Sequence, residues 1–198
     1  MPYVKGIRRL AAAALTTALV AGAAPAVAAA SCPTVASTSA LAKFGDNASY
    51  YLLSGSSFEG GASGWSLNHS EVVSEENEMG GRHAVVIGRN GSATSPEFCV
   101  SSEYPTFRFF AHAMGNRNLF GSQLTASLRW TDAVGFGHQV TVATLQPTDE
   151  WTLTPVLRLA GALPLWMPNS TLNVRLVLQA GYSARWAVAG VFIDPYSR

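Results

Sequence analysis

Apolar side chains recur at every second position in several runs along the chain. In Thr106-Phe107-Arg108-Phe109-Phe110-Ala111-His112-Ala113, a period of two puts Phe107, Phe109, Ala111 and Ala113 on one side and Arg108, Phe110 and His112 on the other. Leu124, Ala126, Leu128 and Trp130 alternate in the same way with Thr125, Ser127, Arg129 and Thr131. Leu172, Val174, Leu176 and Leu178 alternate with Asn173, Arg175 and Gln179, and Val140, Val142 and Thr144 with Thr141, Ala143 and Leu145. Such a pattern predicts strands that each bury one face. Ala84-Val85-Val86-Ile87 reads as a strand buried on both, and residues 50–53, 92–100, 151–154, 156–159 and 186–193 as further extended runs. Pro155 implies an edge or a break between the runs at 151–154 and 156–159.

Turn-forming residues punctuate these runs at 44–47, 54–57, 88–91, 135–137 and 161–170. No run carries a convincing helical period. Nine or ten short strands with regular turns predict an all-β chain folded as an antiparallel two-sheet β-sandwich, with jelly-roll topology the first expectation. An immunoglobulin-type sandwich ranks second, because Cys32, Cys99 and the tryptophans lack the spacing of that fold.

The first thirty residues follow a different rule. Lys5, Arg8 and Arg9 precede an alanine-rich apolar run over 10–20 and small-residue cleavage sites after Ala28 or Ala30. This is the grammar of a signal peptide, spanning 1–30. Residues 31–43, rich in Ser, Thr and Ala, read as a flexible tail, and 44–198 as a single β-sandwich domain. A secreted product is expected, with no membrane insertion once the signal is removed, since no second long apolar run follows.

The whole chain has 13 Lys+Arg against 12 Asp+Glu. Removing Lys5, Arg8 and Arg9 leaves ten cations against twelve carboxylates, net −2, with Lys43 the sole remaining lysine. That balance speaks against a nucleic-acid partner or an anionic lipid surface. The two cysteines, Cys32 and Cys99, are expected to form a disulfide in an exported chain, with acylation of Cys32 as the alternative.

Ser57-Phe58-Glu59, followed by Gly64-Trp65, resembles the opening of galactose-binding-like jelly rolls, a group that includes many carbohydrate-binding modules of secreted bacterial enzymes. The run from Trp186 to Asp194-Pro195 resembles their closing strand. The chain is also similar to a group of secreted actinobacterial proteins through Phe44-Gly45-Asp46, Thr94-Ser95-Pro96, Cys99-Val100 and Asp194-Pro195-Tyr196. The resemblance implies a non-catalytic binding module, and it implies that Glu59 shares a structural calcium ion with acids of the last strand. In this sequence Ala189-Gly190 occupy the place of those acids, leaving Glu59 with backbone carbonyls and Asp46 as partners.

Catalytic motifs are missing: there is no Gly-x-Ser-x-Gly, no His-Glu-x-x-His and no phosphate loop, and the four histidines lack metal-ligand spacing. Glu59, Glu97, Glu103 and Asp132 are the carboxylates a glycosidase could draw on, but nothing in the sequence pairs two of them across a cleft. Two binding surfaces are candidates. Arg108, His112, Arg129 and Arg175, with Thr125, Thr141 and Asn173, could converge on one polar sheet face suited to sugar hydroxyls, or form an ordinary solvated face. Trp166, between Pro164 and Pro168, could be a stacking platform or a cap on the core. Trp65, Trp130 and Trp186 read as core, and Trp151 as either. The expected ligand is a carbohydrate such as a cell-wall polysaccharide. A structural or adhesive protein using the Trp166 loop is the alternative, and a hydrolase using Glu59 and Asp132 the third.

Overall fold

A computed structural model describes Met1 and residues 32–101, 106–115, 120–159 and 171–194. The signal-peptide reading, Glu103, Trp166 and its proline-flanked loop, and Pro195-Tyr196 lie outside the described residues. After a 3-10 turn at Ala42–Phe44 come β1 (Tyr51–Leu52), β2 (Ser66–Ser74), β3 (His83–Thr94), β4 (Phe98–Ser101), β5 (Thr106–Met114) and β6 (Leu124–Thr131). They are followed by β7 (Gly137–Leu145), β8 (Thr152–Leu153), β9 (Leu157–Arg158), β10 (Thr171–Ala180) and β11 (Arg185–Asp194). The chain is all-β, as the alternation predicts. Pro155 falls between β8 and β9, two short segments that both pair with β5.

Hydrogen bonding runs in the order β7-β6-β10-β3-β11-β5-β8, with every pairing antiparallel. The path curls into a jelly-roll sandwich, so that Leu124, Leu128, Leu176 and Leu178 from β6 and β10 share one core with Phe107, Phe109, Val188 and Ile193 from β5 and β11. The hairpin β2–β3 belongs to both layers. Through Val85–Ile87 β3 pairs with β11, whereas Ser92–Thr94 pairs with β10, and β2 accompanies it throughout. Between those parts residues 88–91 stand opposite the single residue His69, so the run read as a turn is a bulge inside one long strand.

Close approach explains the glycines at this corner. A Cβ at Gly88 would lie 2.5 Å from the His69 carbonyl oxygen, and one at Gly91 2.6 Å from the same atom. His69 and Asn90 take positive φ angles of 47° and 56° to complete the bend.

The segment expected to be a tail is folded from Thr38 onward. Thr38 bridges to Tyr50, and Leu41 is fully buried. Leu41, Ala48 and Tyr50 pack with Phe110 and Phe192 in a second, smaller core that covers the outer side of β5 and β11. The reason is on β5 itself: Phe110 has outward parity and needs apolar cover. The Cys32–Cys99 disulfide is present, with a Cα–Cα distance of 5.4 Å, and settles that alternative against acylation. Trp186 and Trp65 are buried, while Trp130 is half-buried against the main core. Trp151 is half-buried too, its ring 4.7 Å from that of His112.

Candidate functional site

The four cationic side chains expected on one face divide into two pairs. Arg108 and His112 sit on β5, on the side covered by the second core, and both are engaged in structural contacts. Arg108 donates from Nη1 to Asp46 Oδ2 at 2.8 Å and from Nε to the Thr154 carbonyl at 2.8 Å. His112 Nε2 lies 2.6 Å from Glu75 Oε1, and both side chains are largely buried. These contacts tie loops to β5.

Arg129 and Arg175 are brought together, as direct cross-strand partners on β6 and β10. They occupy the outward-facing positions of these strands, opposite in parity to Leu128 and Leu176 of the core. The same register lines up Thr141, Ser127 and Val177, then Thr94 and Ser66, across five strands of one layer. The polar side of that layer holds a groove of about 540 Å³, lined by Arg129, Arg175, Glu97, Asn173, Thr94 and Ser66 together with Trp130 and Thr131. Arg129 donates from Nε and Nη2 to Gln139 Oε1 at 3.2 and 3.0 Å. Arg175 Nε stands 3.9 Å from Glu97 Oε2, with both side chains about half exposed. An adjoining hollow of about 600 Å³, walled by Tyr51, Leu52, Phe98 and the disulfide, shares Glu97 and Asn173 with the groove.

Of the expected neighbours, Asn173 lines this groove and Thr141 and Thr125 lie in its sheet. Ser66, Thr94 and Gln139 are additions, and Glu97, singled out above only as a carboxylate, joins them. Each looks like an ordinary strand or loop residue, and only the pairing of β2, β3 and β10, far apart in sequence, places them beside the arginines.

The structure sets the Glu59 carboxylate among nitrogen groups of Arg82 and His83. Its Oε1 accepts the backbone N–H groups of Arg82 at 2.6 Å and His83 at 3.0 Å, and Oε2 lies 3.0 Å from His83 Nδ1. The His83 hydrogen bond, joined by the two backbone donors, holds the Glu59 carboxyl below its ordinary range. Asp46, the proposed co-ligand, accepts from Tyr50, Ala48 and Arg108. Glu59 Oε1 and Asp46 Oδ2 each already accept two hydrogens, and Glu59 Oε2 and Asp46 Oδ1 each meet one more nitrogen, so few lone pairs are left and these residues do not fit a calcium ion. Among the described residues no group of three His, Cys, Asp or Glu side chains could hold a metal.

Asp132 accepts the N–H groups of Val134 and Phe136 in the β6–β7 turn, and its Oδ2 lies 2.8 Å from His138 Nε2. The His138 hydrogen bond and the Phe136 N–H lower its pKa. Among the described residues, Glu97 is the one carboxylate in the groove lining.

The curled antiparallel sandwich is a fold also found in carbohydrate-binding modules. No family profile matches the sequence, and no curated protein is similar to it at a significant level. Solved structures do match the fold. The family 22 carbohydrate-binding module of a Clostridium thermocellum endo-1,4-β-D-xylanase, solved with its catalytic module and xylohexaose, superposes with a TM-score of 0.56 at 17% identity, over 73% of this chain and 28% of that one. A tandem of two family 22 modules from a Paenibacillus barcinonensis xylanase gives 0.54 at 16% identity, over 73% and 46%. This chain thus spans less than half the length of either structure.

Proposed function

We propose that the protein is a non-catalytic carbohydrate-binding module that takes a polysaccharide chain along the groove of Arg129 and Arg175. The observation that carries this reading is the groove itself: an open channel of about 540 Å³ on a sheet face, lined by guanidinium, amide and hydroxyl groups. Sugar hydroxyls need planar donors and acceptors placed by a rigid frame, and strand side chains on a pleated sheet supply them at fixed spacing. Among the described residues the lining holds a single carboxylate, which supports binding rather than glycoside hydrolysis, a reaction that uses two facing acids. The xylohexaose in the Clostridium thermocellum structure is in keeping with such a ligand. The disulfide and the signal-like leader support an extracellular location.

The test is affinity electrophoresis of the folded protein through gels containing xylan, galactan, glucan and mannan. At least one polymer should retard the protein. Arg175→Ala should weaken that retardation about tenfold, the value of one charge-assisted hydrogen bond. Free migration in every polymer by a protein with native circular dichroism would remove the proposal.

A further inference from the structure

Arg129 and Arg175 are direct partners across the β6–β10 ladder, an arrangement in which like charges destabilise a sheet. Their compensation is incomplete. Among the described residues Arg129 meets only the neutral amide oxygen of Gln139, which takes both its Nε and Nη2 hydrogens. Arg175 faces Glu97 at 3.9 Å, an ion-pair separation too long for a hydrogen bond. Among the described residues, the groove lining therefore sets two guanidiniums against one carboxylate.

Elsewhere Arg108 meets Asp46 at 2.8 Å, a hydrogen-bonded ion pair of the kind Arg175 lacks, while Arg185 stands 3.6 Å from Glu71. A surface that needed only to hydrogen-bond neutral hydroxyls could use amides, which carry no repulsion. Two arginine forks side by side, with free donors and surplus positive charge, match the planar geometry of carboxylates.

We infer that the groove recognises an acidic glycan, a polysaccharide carrying uronic acid carboxylates, with Arg129 and Arg175 as the pair that reads the acid. This rests on the carbohydrate-binding reading above and names the class of its ligand. Arg129 and Arg175 together bind the carboxylate, while Asn173, Thr94 and Ser66 remain for hydroxyls.

The experiment uses the full chain in affinity electrophoresis through polygalacturonate, through glucuronoxylan, and through each polymer after reduction of its carboxyls to alcohols. At least one acidic polymer should bind about tenfold to a hundredfold more tightly than its reduced form, the range expected for charge-assisted contacts. That advantage should vanish in about 1 M salt, where screening acts within about 3 Å. The Arg129→Gln/Arg175→Gln double variant, checked for native circular dichroism, should lose the preference and bind both forms like the reduced polymer. Equal binding of acidic and reduced polymers would overturn the acidic-ligand inference and leave carbohydrate binding standing. A preference that survives in the double variant would also overturn it, by placing the positive site elsewhere. Failure to bind any of these polymers or those of the neutral panel would overturn both readings.

Discussion

Arg108 reaches across from β5 to Asp46, its Nη1 2.8 Å from Oδ2, and so fastens the N-terminal segment to the sheet behind the groove. Tyr50 donates its hydroxyl to the same oxygen at 2.6 Å, and Ala48 N–H occupies the other at 3.0 Å. Burial disfavours the charged carboxyl here, but the Tyr50 and Ala48 hydrogen bonds and the Arg108 guanidinium outweigh it and hold the pKa below the ordinary 3.8. A depressed carboxyl stabilises the fold above its unfolded pKa, and that contribution is lost as pH falls through the folded value. Thermal unfolding followed by circular dichroism should therefore show a melting temperature that falls as the pH drops below about 3.8. Asp46→Asn should flatten that acid limb and cost about 2–3 kcal/mol at neutral pH, since it leaves Arg108 buried without its counterion.

Tyr50 gives the opposite limb. Burial and the adjoining Asp46 carboxylate push its phenol above the ordinary value of 10.0. The folded state then holds a proton that the unfolded chain releases, so stability is complete below pH 10.0 and declines as pH rises beyond it. Tyr50→Phe should remove this alkaline decline in a urea titration series, at the cost of the bond to Asp46 at every pH.

Gly91 is predicted to be irreplaceable. An added Cβ would sit 2.6, 2.8 and 2.9 Å from the carbonyl oxygens of His69, Gly88 and Asn68, all of them backbone and unable to turn aside. Gly91→Ala should cost about 2 kcal/mol or more in urea denaturation, as overpacked sites do. A change of a few tenths would mean that the bulge relaxes freely.

The disulfide closes a loop of 67 residues and should contribute about 4 kcal/mol in the chain-entropy account. Cys32→Ser/Cys99→Ser should lower the urea midpoint accordingly. It should also perturb binding, because both cysteines wall the hollow that shares Glu97 and Asn173 with the groove.

For the arginine pair, stability and binding should move in opposite senses. Arg129→Gln should leave the melting temperature unchanged or raise it slightly, since it relieves repulsion at an exposed site where each pair is worth well under about 1 kcal/mol. Loss of stability comparable to a core truncation would mark Arg129 as a structural residue.

Strand identity was legible because parity is local: the pattern of Phe107, Phe109 and Ala111, or of Leu124, Ala126 and Leu128, declares a buried face with no knowledge of partners. Partners are not local. That Arg129 stands beside Arg175 while Arg108 belongs to the covered side follows from β3 and β11 lying between β10 and β5, which alternation alone does not encode. The same gap explains residues 88–91. Asn90-Gly91 carries the residue types of a turn, and only the register against His69 shows that the chain bends and runs on. Phe58 was legible as an anchor and is fully buried against Trp65, with ring centroids 5.3 Å apart, although its φ of 59° could not be foreseen. Glu59 was misleading because a carboxylate after an aromatic residue does not disclose whether its oxygens will meet a cation or, as here, two amide hydrogens.

The small second core has a bearing on how the molecule meets its surroundings. With Leu41, Tyr50 and Phe192 sealing one outer side of the sandwich, the two sides differ in kind: one is closed by the chain's own residues and the other keeps its polar groups in water. A flat insoluble fibre could then be gripped in one orientation only, with the sealed side turned outward. Labels attached at Lys43 should thus stay reactive on a polymer-bound protein, while those near Gln139 are shielded.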